Sequence, residues 1–205
     1  LPENHRDRKM NGRVVYQGNR VVNQNWEAAL FQDLGSSPAT LEASRACDAY
    51  GCAPGHDTEV ADAEQAYIQA DSKGVPSWVG IPPEFRTAEY IGADLAEAME
   101  GVRWPVVQLH KALYGHPDSG TYWEKHCDAH CQAVGFKPIG PEWPSCYFHE
   151  RLQLHLVVYV EDFKLSGPKS RLKEGWELLR SGLSLEPPKP VHERSYLGCR
   201  NERFD

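Results

Sequence analysis

The stretch Leu152-Gln153-Leu154-His155-Leu156-Val157-Val158-Tyr159-Val160-Glu161-Asp162-Phe163-Lys164-Leu165-Ser166-Gly167 decides the fold. Leu152, Leu154, Leu156, Val158 and Val160 alternate with Gln153, His155, Val157, Tyr159 and Glu161. That period of two sets successive side chains on opposite faces of a strand. Asp162-Phe163 then reads as a tight reversal, and Lys164-Leu165-Ser166-Gly167 as the returning arm of a hairpin. A hairpin in a chain that also carries helical patterns predicts an α+β fold with an antiparallel sheet rather than a doubly wound parallel one.

On the C-terminal side, Leu172, Trp176, Leu179 and Leu183 recur at helical spacing. Glu186-Pro187-Pro188-Lys189-Pro190 breaks that helix, and Tyr196-Leu197-Gly198-Cys199 reads as a final short strand. On the N-terminal side, a helix is predicted over 121–134, closing at Gly135, after a turn-rich crossing at 138–144 is set aside as loop. Residues 106–109 and Trp78-Val79-Gly80-Ile81-Pro82-Pro83 are short strands, the second ended by its prolines. Between them, 86–105 is a weakly patterned connector with helix around 93–99. Residues 58–61 form a strand leading into Asp62. Thr40 caps a helix towards Tyr50, with Glu42 in its first turn and Gly51 as its stop. Arg13-Val14-Val15-Tyr16-Gln17-Gly18 reads as a strand ending at a glycine, preceded by a polar lead-in over 1–12. Residues 58–199 fit a split β-α-β layout, an antiparallel sheet backed by two helices.

The 205 residues carry 40% hydrophobic and 25% charged side chains, the balance of an ordinary globular protein. A net charge of −7 argues against tight, autonomous binding of nucleic acid, which favours a basic footprint. No apolar run approaches the roughly 18 residues of a membrane span, so no membrane partner is expected. The chain opens without Met or a signal-peptide core and reads as a piece of something longer. Six cysteines, at 47, 52, 127, 131, 146 and 199, read as free thiols of a reducing compartment. His126-Cys127-Asp128-Ala129-His130-Cys131 could be weighed as a zinc site. The preferred reading is a buried stripe of Trp123, Cys127, Cys131 and Val134, because no second ligand pair stands elsewhere.

Chemistry gathers on carboxylates. Two-metal phosphoryl transfer needs carboxylates at one spot to hold divalent ions about 3.5–4 Å apart, and Mg²⁺ takes a few of them plus substrate phosphates. Asp62 at a strand end and Glu161-Asp162 on a hairpin turn are placed to supply this. Alone, each is also an ordinary turn residue.

Their flanks make the set specific. Asp62-Ala63-Glu64-Gln65-Ala66-Tyr67 places an aromatic five residues after an Asp, and Trp78-Val79 is followed by Pro83-Glu84-Phe85. Leu109-His110-Lys111-Ala112-Leu113-Tyr114-Gly115 precedes Trp123 and Gly135-Phe136. Tyr159-Val160-Glu161-Asp162 precedes Ser166-Gly167, and Tyr196-Leu197-Gly198 follows. In order and kind these motifs resemble those of the copia-type family of long-terminal-repeat retrotransposon reverse transcriptases, over roughly 12–198 of the chain. The match includes the family's first metal motif, its "LKKALYG … W … GF" signature, its YVDD box and its "FLG" landmark.

The resemblance implies a reverse-transcriptase-like palm with a partial fingers subdomain. Residues 1–57 would be a fingers-like part and 58–205 the palm, with a fingers segment inserted at about 72–112; the thumb and ribonuclease H would lie outside this chain. It implies an RNA-directed DNA polymerase that adds deoxynucleotides to a primer, with Asp62, Glu161 and Asp162 as catalytic, metal-binding carboxylates for Mg²⁺ or Mn²⁺. Tyr67 would be the steric gate against a 2′-hydroxyl. Ala66, Arg13 and Asp118 would join Tyr67 at the nucleotide, and Lys111 and Tyr159 would touch nucleic acid. Implied partners are an RNA or DNA template with primer, deoxynucleoside triphosphates and other parts of the Pol polyprotein. The implied location is the cytoplasm, in virus-like particles, or the nucleus.

The chain departs from the family at two places. Glu161 stands where the YVDD box has Asp, which moves a carboxylate by roughly 1.5 Å, and a misplacement of ~1 Å can cost on the order of 100-fold in rate. Asp118 and Gly120 stand where glutamine and proline are usual. Three other readings remain: a catalytically inactive remnant that binds or supports nucleic acid, an unrelated hydrolase using Asp62 and Glu161 as acid and base, and a zinc module.

Overall fold

The computed structural model of the chain describes residues 14–29 and 37–202. Its centre is a six-stranded sheet in the order β4-β5-β6-β7-β1-β8, every neighbouring pair antiparallel. The strands are β1 (His56–Asp62), β4 (Lys137–Pro138), β5 (Cys146–His149), β6 (Leu154–Tyr159), β7 (Asp162–Pro168) and β8 (Lys189–Pro190). A separate two-stranded sheet joins β2 (Trp78–Gly80) to β3 (Val106–Gln108), with short helices α3 (Ala88–Ile91) and α4 (Ala93–Ala98) in the connector. The fold is therefore α+β with an antiparallel sheet backed by helices, as the sequence predicts.

Helices cover both faces of the large sheet. The helix α5 (Ser119–Ala133) buries Trp123, Cys127 and Cys131, one turn apart, and α6 (Lys169–Arg180) buries Leu172, Trp176 and Leu179. These meet Leu154, Leu156 and Val158 of β6 and Phe163 and Leu165 of β7 in the main core. Trp123, Cys127 and Cys131 thus form the expected apolar stripe, with Val134 packed partly buried beside it. On the opposite face α1 (Leu41–Gly51) starts where the Thr40 side chain accepts from the Ala43 amide at 3.2 Å, the cap read from the sequence. Its Ala43 and Cys47 pack with Cys146 and Val157.

Because both faces are covered, β6 is not the half-solvated strand that its alternation implies: His155 and Val157 are buried along with the leucines. Its reversal also shifts. Val160 and Glu161 form the turn, and Asp162 already belongs to β7, paired with Tyr159. The sequence places no strand within 137–149, yet β4 and β5 extend the sheet there. Lys189–Pro190, read as a helix breaker, adds an edge strand to β1, where a missing amide is tolerated. Tyr196-Leu197-Gly198-Cys199 is not a strand; it closes on itself through a Tyr196–Cys199 bridge, with Leu197 and Gly198 in left-handed conformations. The expected strand at 13–18 is absent over its described residues. Gly18–Arg20 is a 3₁₀ turn, and Tyr16 donates to the Tyr114 carbonyl at 2.6 Å instead. Gly18 packs so closely on Gly115 that a Cβ would stand 2.2 Å from its carbonyl oxygen, so a side chain at this position would clash.

Candidate active site

The ends of β1 and β7 bring two aspartates together: Asp62 and Asp162 are direct partners in the antiparallel register. Glu161 follows in the turn between β6 and β7. The turn is pinned from two sides. The Ala63 amide donates to the Glu161 carbonyl at 2.7 Å, and the Trp123 indole donates to the Val160 carbonyl at 2.6 Å. Between these anchors Val160 holds φ +54°, a left-handed conformation that a β-branched residue rarely enters. Strained backbone of this kind persists only where its surroundings over-determine it, and it clusters at functional sites.

The carboxylates repel one another in a partly dry setting. Burial raises the Asp162 carboxyl to about 6, with the charges of Asp62 and Glu161 adding to the shift and Arg194 opposing it. Burial also raises Asp62; Arg194 opposes this, while Glu186 and Glu161 reinforce it. Arg194 forks between two acids, one nitrogen on the Asp62 carboxylate and the other on Glu186 at 2.7 Å. On the far side, Tyr114 donates its hydroxyl to Glu161 at 3.3 Å and tilts its ring against Tyr67, centroids 4.6 Å apart. Tyr67 rides on α2 (Ala66–Gln69), which Gln69 ties to the Ser184 backbone. The charge of Glu161 contributes to a raised Tyr67 hydroxyl, after burial.

The donor set, carboxylate oxygens only, matches a hard cation such as Mg²⁺. Its placement does not yet form a cage: among the described residues no group of three or more His, Cys, Asp or Glu is arranged about one metal position. Asp62 instead spends its carboxylate on Arg194.

The other expected residues fall at varying distance from this centre. Tyr159 ends β6 beside the turn and is part exposed. Lys111 reaches Asp71 at 2.7 Å on the surface. Asp118 precedes α5 and accepts from the Tyr122 hydroxyl at 3.4 Å, within a cluster that includes His116. Ala66 is fully buried, its methyl in the main core beside Tyr67 in the chain. Arg13 lies outside the described residues. Three contributors were not foreseen. Arg194, Glu186 and the Tyr114 hydroxyl enter through tertiary contacts; Tyr114 lies in the Leu-Tyr-Gly run and Arg194 just before the Tyr-Leu-Gly run, while Glu186 carried no signal. Among the described residues no helix is long and apolar enough to cross a membrane. The chain matches no protein-family model and no curated protein.

Proposed function

We propose that this chain is the palm, with part of the fingers, of a copia-type reverse transcriptase. It would extend a primer on an RNA or DNA template by two-metal phosphoryl transfer. The observation that carries the reading is the register pairing of Asp62 with Asp162, with Glu161 on the adjoining turn. It rests equally on the ordered motifs that surround these residues.

In this reading Asp62, Glu161 and Asp162 would hold Mg²⁺ or Mn²⁺, which would supply the charge that stabilises the attacking and leaving oxygens. The chain's own residues do the rest. Asp62 and Asp162 work as carboxylates, so they act above the pH at which Asp162 ionises. Tyr67, braced by Tyr114, walls the space where a sugar would lie and excludes a 2′-hydroxyl. Tyr159 lies beside the turn for primer contact, and Lys111 and Arg13 offer charge to phosphate. The partners are a primed template, deoxynucleoside triphosphates and the remaining Pol parts, in cytoplasmic particles or the nucleus.

A second reading, the inactive remnant, is favoured by one contact, the Arg194 guanidinium seated on Asp62. Deoxynucleotide binding separates the two. The polymerase reading expects Mg²⁺-dependent binding of a deoxynucleoside triphosphate to the full chain, lost in Asp62→Asn and in Asp162→Asn. Binding that ignores both substitutions removes the polymerase reading.

A further inference from the structure

We propose that Arg194 is a tethered cation that competes with a divalent ion for Asp62, so that the segment carrying it regulates the carboxylate site. The inference rests on the function proposed above, since it requires a cation position at Asp62.

The segment is fixed on both sides of Arg194. Upstream, Lys189–Pro190 pairs with Glu59 and Val60 of β1, and the Val191 amide donates to the Thr58 carbonyl at 3.1 Å. Downstream, Tyr196 is buried beneath Lys164, whose Nζ stands 4.1 Å from the ring centroid. The Tyr196 and Cys199 backbones close a turn at 2.9 Å in each direction. Arg194 is thereby delivered to the end of the very strand that carries Asp62. Its reach is limited to the length of its own side chain.

The occupied position is already a cation site, filled by the chain itself. Glu161, Asp62, Asp162 and Glu186 present carboxylates here, and Arg194 is the positive group that meets Asp62 and Glu186. The side chains of Arg194 and Asp62 are 27% and 30% exposed, so water reaches the pair and the contact can exchange. A divalent ion at the same carboxylate brings twice the charge into a place where a guanidinium and a metal would repel one another. The second arm of the fork, to Glu186 at 2.7 Å, is a carboxylate partner that Arg194 keeps when Asp62 is given up. Asp62 thus stands between two neighbours, Asp162 as its register partner and Arg194 as its ion-pair partner.

The test is Mn²⁺ binding to the full chain, followed by the electron paramagnetic resonance signal of free Mn²⁺, in the native protein, Arg194→Gln, Arg194→Lys and Asp62→Asn. The expected result is that Arg194→Gln binds Mn²⁺ about fivefold more tightly than native, the order of an exposed ion pair. Arg194→Lys, which keeps the charge, stays closer to native than to Arg194→Gln, and Asp62→Asn loses the site. Circular dichroism checks that each variant is folded. Equal affinity in native and Arg194→Gln, with Asp62→Asn still abolishing binding, overturns the competition and leaves the cation site standing. Weaker binding by Arg194→Gln also overturns it, because Arg194 would then position Asp62. Absence of Asp62-dependent Mn²⁺ binding in every variant overturns the site and the inference together.

Discussion

Asp62 and Asp162 face one another as register partners at the adjoining ends of β1 and β7, and the burial of Asp162 lifts its carboxyl to about 6. A carboxyl whose folded pKa lies above its ordinary value holds its proton more tightly when folded. Stability is then lost as pH rises from about 4 to about 6, where the folded chain binds more protons than the unfolded one. In metal-free buffer, Asp162→Asn should melt higher than the native chain at pH 8 and similarly at pH 4. The shift is worth on the order of 1–2 kcal/mol after allowance for solvent screening. Thermal melts across pH check this, and equal melting of the two proteins at pH 8 contradicts it.

Lys164 offers a second test, of the α1 face. Its Nζ is buried against both Asp48 oxygens at 2.9 Å and the Ser44 hydroxyl at 2.8 Å. Removing one partner strands a buried charge, whereas removing the charge does not. Asp48→Ala should cost about 3 kcal/mol and Lys164→Met clearly less, as read by urea denaturation. The reverse order would show that the ion pair is not what fixes α1 to β7.

Gly175 is where α6 meets the sheet. A Cβ there would stand 2.4 Å from Leu154 Cδ1 and 3.1 Å from Leu165 Cδ2, both in the fully buried core. Gly175→Ala gains about 1 kcal/mol of helix propensity but forces core side chains off their packing at a cost of roughly 1–3 kcal/mol. The expected outcome is a net loss of stability in urea, and a net gain would mean that α6 sits further from the sheet.

Tyr67 lies against Tyr114, whose hydroxyl reaches Glu161. If Tyr67 walls the sugar, Tyr67→Val should admit ribonucleotides at the expense of selectivity while leaving deoxynucleotide use largely intact. Competition between a ribonucleotide and its deoxy counterpart, measured in the Glu161→Asp background, reads the change. Unaltered selectivity would remove Tyr67 from the sugar site.

The sequence was informative wherever a local rule acted alone. The Thr40 cap, the Trp123-Cys127-Cys131 stripe and the strand into Asp62 follow from spacing and hydrogen-bonding chemistry within a few residues. It misled where tertiary packing decides. His155 and Val157 look half-solvated until α1 covers them, and Pro190 looks like a terminator until β1 supplies an edge to pair with. The turn at Val160-Glu161 was displaced because Val is a poor choice for φ +54°; the Trp123 and Ala63 hydrogen bonds hold it there. Arg194 was invisible in the same way, since its meaning depends on Asp62, far away in the chain.

Primer extension tests the central claim most directly. The native chain, Glu161→Asp, Asp62→Asn and Asp162→Asn are compared on a primed template with Mg²⁺ and with Mn²⁺. The account predicts slow extension by the native chain, a gain on the order of 100-fold in Glu161→Asp as the carboxylate arm is shortened, and none in either Asn variant. Extension by the native chain as fast as by Glu161→Asp contradicts the impairment assigned to Glu161. No extension by Glu161→Asp, or extension that survives Asp62→Asn, contradicts the polymerase reading itself.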